Sequence, residues 1–388
     1  MYDWIVVGGG LTGAMLGYEL ARAGFSIVLL EPQFPPENAT RYSYGGIAYW
    51  SGRDDETVAG VSTRQLCREG IERYAELSQE LPGDIEFREL DLLLTIAPES
   101  DPQQLANAYS QFAIPPQWLD VGQACELEPL LDPNAIAGAL AVRHGHVNPE
   151  KLLLALYAGI RQLGGAVAID RAVELQRKGD RILGVRGVDG GYSAQQTAIC
   201  VGGMARSFLA EAGIEVPIYF THAEAIETQP SPVQLRTLVM PAELRRFELE
   251  AKATRPEAEP LWQQPGNEPA PPILDAGAIQ FLDGSYRLGQ ISRVLTDPWA
   301  KVDPVRSEAE IRAQVGRVLP PLAGLPGRWR ECIVAFRGDG LPWVGRMDGI
   351  EGMVLFSGFS NPFVLVPALA RRLVEEMGDR KGVFYSAL

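Results

Sequence analysis

The sequence predicts an α/β chain: a helix-flanked, mostly parallel sheet assembled from discontinuous segments, with a second, α+β domain on a mixed, antiparallel sheet inserted between them. Three observations predict it. A short apolar strand, a glycine loop and a helix open the chain at residue 2. A strand, Gly358 and a helix close it from residue 353. Between them lie stretches that alternate apolar and polar residues as hairpins do. The 388 residues are enough for two or three domains.

Residues 2–7 are apolar and β-branched toward their end, as in a buried parallel strand. Over 12–23, Ala14, Tyr18 and Ala21 mark one face and Leu16 and Leu20 another, so the helix is apolar nearly all round; Gly24 ends it. Residues 26–30 form a second strand ending at Glu31, and 39–52, rich in Gly, Ser and aromatics, an ordered loop. A long amphipathic helix over 63–81 precedes a hairpin-like alternation at 84–96, and a helix over 149–163 is closed by Gly164-Gly165. A short strand pair, 166–169 and 181–185, follows, then an apolar strand at 197–201 that meets Gly202-Gly203. Residues 241–255 read as a charged helix, and 255–272, rich in proline, as a surface excursion or flexible loop. Strands resume at 273–291 around an Asp283-Gly284 turn; a helix over 307–318, a strand over 353–357 and a helix over 366–377 complete the chain. Residues 1–85, 145–215 and 330–388 are assigned to the first domain, and 86–144 and 216–329 to the second, with the excursion at 240–272.

The chain carries 35 basic and 49 acidic residues, a net charge of −14, which argues against nucleic acid or anionic membrane as the main partner. Apolar residues make up 46%, enough for a sizeable core. No apolar run reaches the length of a membrane span, and a strand begins where a signal peptide would lie, so a cytoplasmic protein is expected. Cys67, Cys125, Cys200 and Cys332 are scattered, with no C-x-x-C pair; a reducing compartment fits and zinc does not. His144 and His146 stand two apart without a Cys or carboxylate cluster beside them, so no metal is expected.

The strongest motif is Gly8-Gly9-Gly10-Leu11-Thr12-Gly13. Gly8 permits the turn out of the strand, Gly10 lets a pyrophosphate approach the backbone, and Gly13 lets helix and strand pack closely. The helix opening at Leu11 and Thr12 offers free N–H donors and a partial positive charge. Glu31, 23 residues after Gly8, ends the second strand, where a carboxylate accepts from ribose hydroxyls and repels a 2′-phosphate. The set predicts a Rossmann-like dinucleotide-binding domain, disfavours NADP and leaves NAD and FAD open.

Further segments follow in order: Thr40-Arg41-Tyr42-Ser43-Tyr44-Gly45-Gly46-Ile47, His146-Val147-Asn148-Pro149, and Gly338-Asp339-Gly340-Leu341-Pro342-Trp343-Val344-Gly345 ahead of Phe356-Ser357-Gly358-Phe359-Ser360. In this ordered set the chain resembles the D-amino-acid oxidase-like family of FAD-dependent oxidoreductases, which includes glycine oxidase and monomeric sarcosine oxidase. The resemblance runs end to end, with 240–272 fitting worst. It implies FAD as cofactor, an FAD-binding first domain and a substrate-binding second one. It places Thr40 and Arg41 near the pyrophosphate, Gly45 and Gly46 close to the flavin ring, Val173 on the adenine through its backbone, and Gly202 and Gly203 around diphosphate and ribose. Arg337, Gly338 and Asp339, with Gly358, Phe359, Ser360 and Asn361, would flank the pyrimidine end, where N–H groups and a helix N-terminus stabilise the anionic reduced ring.

Departures from the family pattern fall at the flavin end. Where glycine-oxidase-like members carry an arginine five residues before the aspartate matching Asp339, this chain has Val334. Where sarcosine-oxidase-like members carry a lysine after Gly358, it reads Asn361-Pro362-Phe363-Val364-Leu365. Two anchors for a substrate carboxylate are therefore missing. Arg287, which matches a flavin-side lysine of sarcosine-oxidase-like members, is one replacement; Arg41 and Arg53 are others. Tyr44, Tyr49 and Trp50 either line an aromatic pocket or fill core. Arg287, Arg41 and Tyr44 are the catalytic candidates. Cys332 stands seven residues before Asp339, where some members attach flavin covalently and many have glycine; a buried thiol and non-covalent FAD are expected here. The resemblance implies oxidation of the C–N bond of a small amine or amino acid by hydride transfer to flavin N5, with oxygen or a quinone as acceptor. Two alternatives stay open: a flavoenzyme of this fold acting on a non-amino-acid donor, and a flavin-bound interaction or assembly protein with little turnover.

Overall fold

The strand Tyr2–Val7 lies inside an eight-stranded sheet because its side chains are apolar on both faces, as parallel strands covered by helices require. The computed structural model describes residues 1–243 and 245–378. The sheet runs Ala172–Lys178, Arg181–Gly187, Ile350–Ser357, Gly191–Ile199, Tyr2–Val7, Ile27–Glu31, Ala166–Ile169, with Trp343–Met347 antiparallel to Ile350–Ser357. Trp4, Val6, Ile27, Leu29, Val354 and Phe356 point to one side, into a core shared with residues of the helices Leu11–Arg22, Thr63–Glu80, Pro149–Gln162 and Pro362–Gly378. Ile5, Val7, Val28, Leu30 and Leu355 point to the other, against Leu175, Val185 and Leu209. The alternation follows from the two-residue repeat of a strand.

The second sheet has ten strands. Its order is Gly327–Phe336, Tyr219–Thr228, Tyr286–Val294, Ala278–Gln280, Leu238–Pro241, Arg88–Ile96, Gly138–His146, Gly46–Ile47, with Ala270–Leu274 on Tyr286–Val294 and Gln117–Leu119 on Gly138–His146. All its pairings are antiparallel except Leu238–Pro241 with Arg88–Ile96. The strand Gly327–Phe336 crosses the domain boundary expected at residue 330 and belongs wholly to this sheet.

Several local expectations need correction. The alternation at 84–96 is not a hairpin: Arg88–Ile96 is one strand whose partner, Gly138–His146, lies beyond two intervening helices. Alternation reports a half-buried strand but not its neighbour. The strands near 166–169 and 181–185 do not pair with each other, and Ala172–Lys178 between them is also a strand. The loop at 39–52 contains a one-turn helix Ala39–Tyr42, begun by Asn38, whose side chain accepts from the Arg41 N–H. The last helix starts at Pro362, not 366: proline suits a first helical position, where its missing N–H costs nothing. Residues 379–388, assigned to the first domain, lie outside the described residues.

The stretch 255–272 is not a flexible loop. It holds the turn Pro256–Ala258, the helix Glu259–Trp262 and the strand Ala270–Leu274. Trp262 is 6% exposed and packs among Tyr219, Phe220, Leu249, Ala253, Val294 and Phe336. Its indole N–H donates to the Ala253 carbonyl at 2.8 Å. One tryptophan with a satisfied donor pins a segment whose composition is otherwise polar. Among the described residues no helix is long and apolar enough to cross a membrane.

Candidate functional site

The glycine loop is built as its spacing demands. Gly8 turns out of the strand at φ +98°, and its N–H donates to the Leu30 carbonyl at 2.9 Å. The helix Leu11–Arg22 packs so close that a Cβ on Gly13 would lie 1.8 Å from the Gly8 oxygen. At Gly10 an added Cβ would meet only Thr40 Oγ1, at 3.4 Å, so this side of the loop is open. Thr40 Oγ1 accepts from the Leu11 N–H at 2.9 Å, and Thr12 Oγ1 donates to the Cys200 carbonyl at 3.3 Å. Gly10, the N-cap, offers no side chain to the first-turn N–H groups, which favours an anionic ligand there.

Glu31 is buried at 5% exposure, and its Oε2 accepts from the Gly9 N–H at 2.8 Å. Burial pushes its carboxyl up to about 7, against the pull of the Gly9 and Gln33 N–H groups. The residue thus keeps acceptor capacity for two hydroxyl donors, which fits a ribose. Because the folded value lies above the ordinary 4.5, Glu31 penalises the cofactor-free fold as pH rises between those values, and the cost is complete above about 7. We expect Glu31→Gln to stabilise the cofactor-free protein by about 3 kcal/mol at pH 8 and by less than half of that at pH 5. Urea unfolding at both pH values measures it; an equal gain at both would show that charge burial is not the cause.

Val173 falls at a register shift between Ala172 and Glu174, where the ladder with Arg181–Gly187 is interrupted. An added Cβ on Gly202 would meet nothing within 4 Å, whereas one on Gly203 would strike Ile333. Gly45 and Gly46 lie against Val147 and His144, where the strand Gly46–Ile47 pairs with Gly138–His146.

At the other end, Arg337 pairs with Asp339 at 2.8 Å and its aliphatic stem packs on Gly358. Gly338 lies against Thr254, so the segment after the helix Arg245–Ala253 covers this loop. Phe359 is buried edge-on against Phe356 and fills core rather than facing open space. Ser360 Oγ is buried without a hydrogen-bond partner, while the Ser360 carbonyl accepts from Arg246 Nη2 at 2.9 Å. Asn361 Nδ2 donates to Ser51 Oγ at 3.1 Å, directly before the helix that opens at Pro362.

Cross-strand pairing puts Glu227 opposite Arg287, with Arg330 and Cys332 on the same face. Glu227 Oε1 lies 2.9 Å from Arg287 Nη2 and 3.6 Å from Arg41 Nη1, and Oε2 lies 2.9 Å from Arg330 Nε. Burial would raise the Glu227 carboxyl, but Arg287, Arg41 and Arg330 together hold it below its ordinary value. Arg41 also pairs with Glu150 at 3.4 Å. Its Nε and Nη1 are ion-paired yet hydrogen-bonded to nothing, and Arg287 Nε likewise lacks a hydrogen bond. The two cations expected to be free for a substrate are thus shared with internal carboxylates. Arg53 pairs with Asp55 at the surface. The Tyr44 hydroxyl donates to the Gly289 carbonyl, and Tyr49 to Glu89. Trp50 packs on Tyr109 and Phe112, with its N–H on His144 Nδ1 at 3.0 Å. Burial drives His144 and His146 down to about 3, so both are neutral, and pushes the Cys332 thiol up to about 12. Among the described residues no group of three or more His, Cys, Asp or Glu is placed to hold a metal ion.

Three residues escaped the sequence reading. Glu227 sits in an alternating strand like any surface acid. Arg246 lies in the charged helix assigned to the surface. Asp275 is a lone acid in the small-residue run Asp275-Ala276-Gly277, and only that context could have marked it.

The family model described as FAD dependent oxidoreductase (DAO) matches residues 3–376. The chain is 25% identical over 379 residues to 4-methylaminobutanoate oxidase (formaldehyde-forming) of Paenarthrobacter nicotinovorans, covering 96% of this chain and 43% of that one. It is 27% identical over 248 residues to glycine oxidase of Geobacillus kaustophilus strain HTA426, covering 61% and 64%. Each match spans less than two thirds of the relative's length. The crystal structure of glycine oxidase from Geobacillus kaustophilus has the same fold, with a TM-score of 0.74 at 20% identity over 96% of this chain and 94% of that one.

Proposed function

The chain belongs to the DAO family of FAD-dependent oxidoreductases, and from that premise we propose that it oxidises the C–N bond of a small amine or amino acid. Bound FAD supplies a two-electron acceptor that takes a hydride equivalent at N5. The observation that carries the reading is the arrangement of polar groups around Tyr44 to Gly46, Arg337 to Asp339 and Gly358 to Asn361, next to a glycine loop and an acid that fit the adenosine half of the cofactor. The names of the relatives support it: 4-methylaminobutanoate and glycine are both amines that carry a carboxylate.

On this reading Gly8, Gly10 and Gly13, with the N–H groups of Leu11 and Thr12, hold the diphosphate, and Thr40 and Arg41 stand beside it. Glu31 takes the ribose hydroxyls, Val173 offers its backbone to the adenine, and Gly202 and Gly203 close over the diphosphate and ribose. Arg337, Gly338 and Asp339, with Gly358 to Asn361, hold the pyrimidine end, Phe359 through its backbone. Arg246, tethered to Ser360, takes the place of the arginine replaced by Val334 and faces the substrate carboxylate. Arg287, which shares Glu227 with Arg41 and Arg330, keeps that wall of the site positively charged. An amine that reacts unprotonated needs no side-chain base at its C–H bond, so positioning and electrostatics carry that step. The protonated Cys332 is a poor nucleophile, which supports non-covalent FAD. Oxygen or a quinone accepts the electrons.

Anaerobic mixing of the FAD-loaded protein with glycine, N-methylglycine, 4-methylaminobutanoate and a set of hydroxy acids tests the reading through the flavin absorbance. We expect bleaching by at least one amine, and, after acid precipitation, yellow colour in the supernatant. Bleaching by hydroxy acids alone would replace it with a non-amino-acid donor. No bleaching by any donor would favour a binding or assembly role.

A further inference from the structure

Asp275 sits in the turn between the strands Ala270–Leu274 and Ala278–Gln280. Its N–H donates to the Gln290 carbonyl at 2.8 Å and its carbonyl accepts from the Gln290 N–H at 2.8 Å. This fixes it beside Gly289, whose carbonyl takes the Tyr44 hydroxyl. Two residues on, a Cβ at Gly277 would come within 3.1 Å of that hydroxyl. Tyr44 leads into Gly45-Gly46. On the other side the field of Arg246, bonded to Ser360, reaches the Asp275 carboxylate. Asp275 is therefore linked to both segments proposed above to flank the flavin ring, to one through Gln290 and Gly289 and to the other through the field of Arg246.

Among the described residues its own carboxylate has no hydrogen-bond or ion-pair partner. Oδ1 is buried without a hydrogen bond, and neither oxygen takes part in an ion pair among the described residues. The other buried acids are each provided for. Glu227 has three arginines, Glu224 has Arg293 and the Trp329 N–H, and Glu128 accepts from Leu130, Arg236 and Thr237. Asp275 is half-buried, so its carboxylate stays reachable while protein surrounds it. A carboxylate left this way in a folded chain is costly unless something outside the chain completes it.

We propose that Asp275 anchors the positively charged amine of the substrate and accepts its proton before the hydride leaves the C–H bond, so that this site selects a cationic or zwitterionic amine. The proposal rests on the amine-oxidising reading above. The groups around it pull both ways: Arg245 and Arg246 favour the ionised carboxylate, Glu243 opposes it, and the Tyr44 and Tyr109 hydroxyls lie within reach of its field. Burial outweighs the arginines and pushes the carboxyl up to about 6, leaving Asp275 ionised near neutral pH and protonated in mild acid.

The test uses FAD-loaded wild type and Asp275→Asn, titrated anaerobically with N-methylglycine and with propanoate, which has the carboxylate but no amine. Dissociation constants are read from the perturbation of the flavin spectrum. We expect Asp275→Asn to weaken N-methylglycine about 10- to 100-fold and propanoate less than about twofold, with Asp275→Glu recovering part of the loss. In the wild type, binding of N-methylglycine should weaken as pH falls through about 6. Equal affinity of wild type and Asp275→Asn for N-methylglycine, or an equal loss for propanoate, overturns the proposal. Should the Asn variant not hold FAD, a flat pH profile of the wild type between 5 and 8 overturns it alone. If the amine reduces both proteins with equal affinity, only the role of Asp275 fails; if no amine binds or reduces the wild type, the amine-oxidising reading fails with it.

Discussion

Gly13→Ala should give a protein that emerges from gel filtration without its yellow colour and unfolds at lower urea than the wild type. The added Cβ would lie 1.8 Å from the Gly8 oxygen, 3.0 Å from its carbon and 3.1 Å from Cys200 Cβ. Two of these are backbone atoms, so no rotamer change relieves the clash, and the helix Leu11–Arg22 must move off the strand. That motion also displaces the first-turn N–H groups. Overpacking of this kind costs about 3 kcal/mol. Gly179→Ala is the control: its φ is +61° with nothing within 4 Å, so it should cost about 1 kcal/mol and leave FAD content unchanged. The ratio of flavin to protein absorbance reports cofactor retention. Full flavin content in Gly13→Ala would mean that the close packing is not what shapes the loop.

Glu227→Gln is the second substitution of large effect. It leaves Arg41, Arg287 and Arg330 facing one another without their shared counter-ion. Removing one partner of a buried ion pair costs about 3 to 5 kcal/mol; Glu227 is one-fifth exposed, so about 2 to 3 kcal/mol is expected here. The sign with pH is fixed by the depressed carboxyl. Its stabilisation is complete above the ordinary value of 4.5 and is lost as pH falls through the lower folded value. The gap between wild type and Glu227→Gln should therefore be constant from pH 6 to 8 and narrow below about 4.5. Urea unfolding across that range measures it, and a variant as stable as wild type at pH 7 would remove the electrostatic role assigned to the cluster.

The form of the glycine loop and of Glu31, proposed to hold the adenosine half of the cofactor, was legible because it rests on local geometry. A glycine that turns a strand, a glycine that admits a helix and an acid at a strand end all fall within one strand–helix–strand unit of about 30 residues, and their spacing carries the message. The substrate half was not. Arg246 reaches Ser360 across 114 positions, and Asp275 acquires its meaning from Gln290, Tyr44 and Arg246 on other elements. Arg41 and Arg287 looked free because Glu227, their counter-ion, lies on a different strand. The start of the last helix was missed for a local reason: Pro362 reads as a breaker, although a first turn accepts it. The packing of Trp262 was hidden by the prolines and charges around it.

The helix Arg245–Ala253 and the turn after it are fastened to the rest of the molecule by side chains: Arg246 on Ser360, Thr254 on Gly338, Trp262 in its own small core. Between those fastenings Leu249 and Ala253 pack on Tyr219, Phe220, Val294 and Phe336 of the second sheet, while Arg245, Phe247 and Glu248 are exposed. On the reading proposed above, drift at those exposed positions can retune what approaches Ser360 while the glycine loop and both sheets keep their packing.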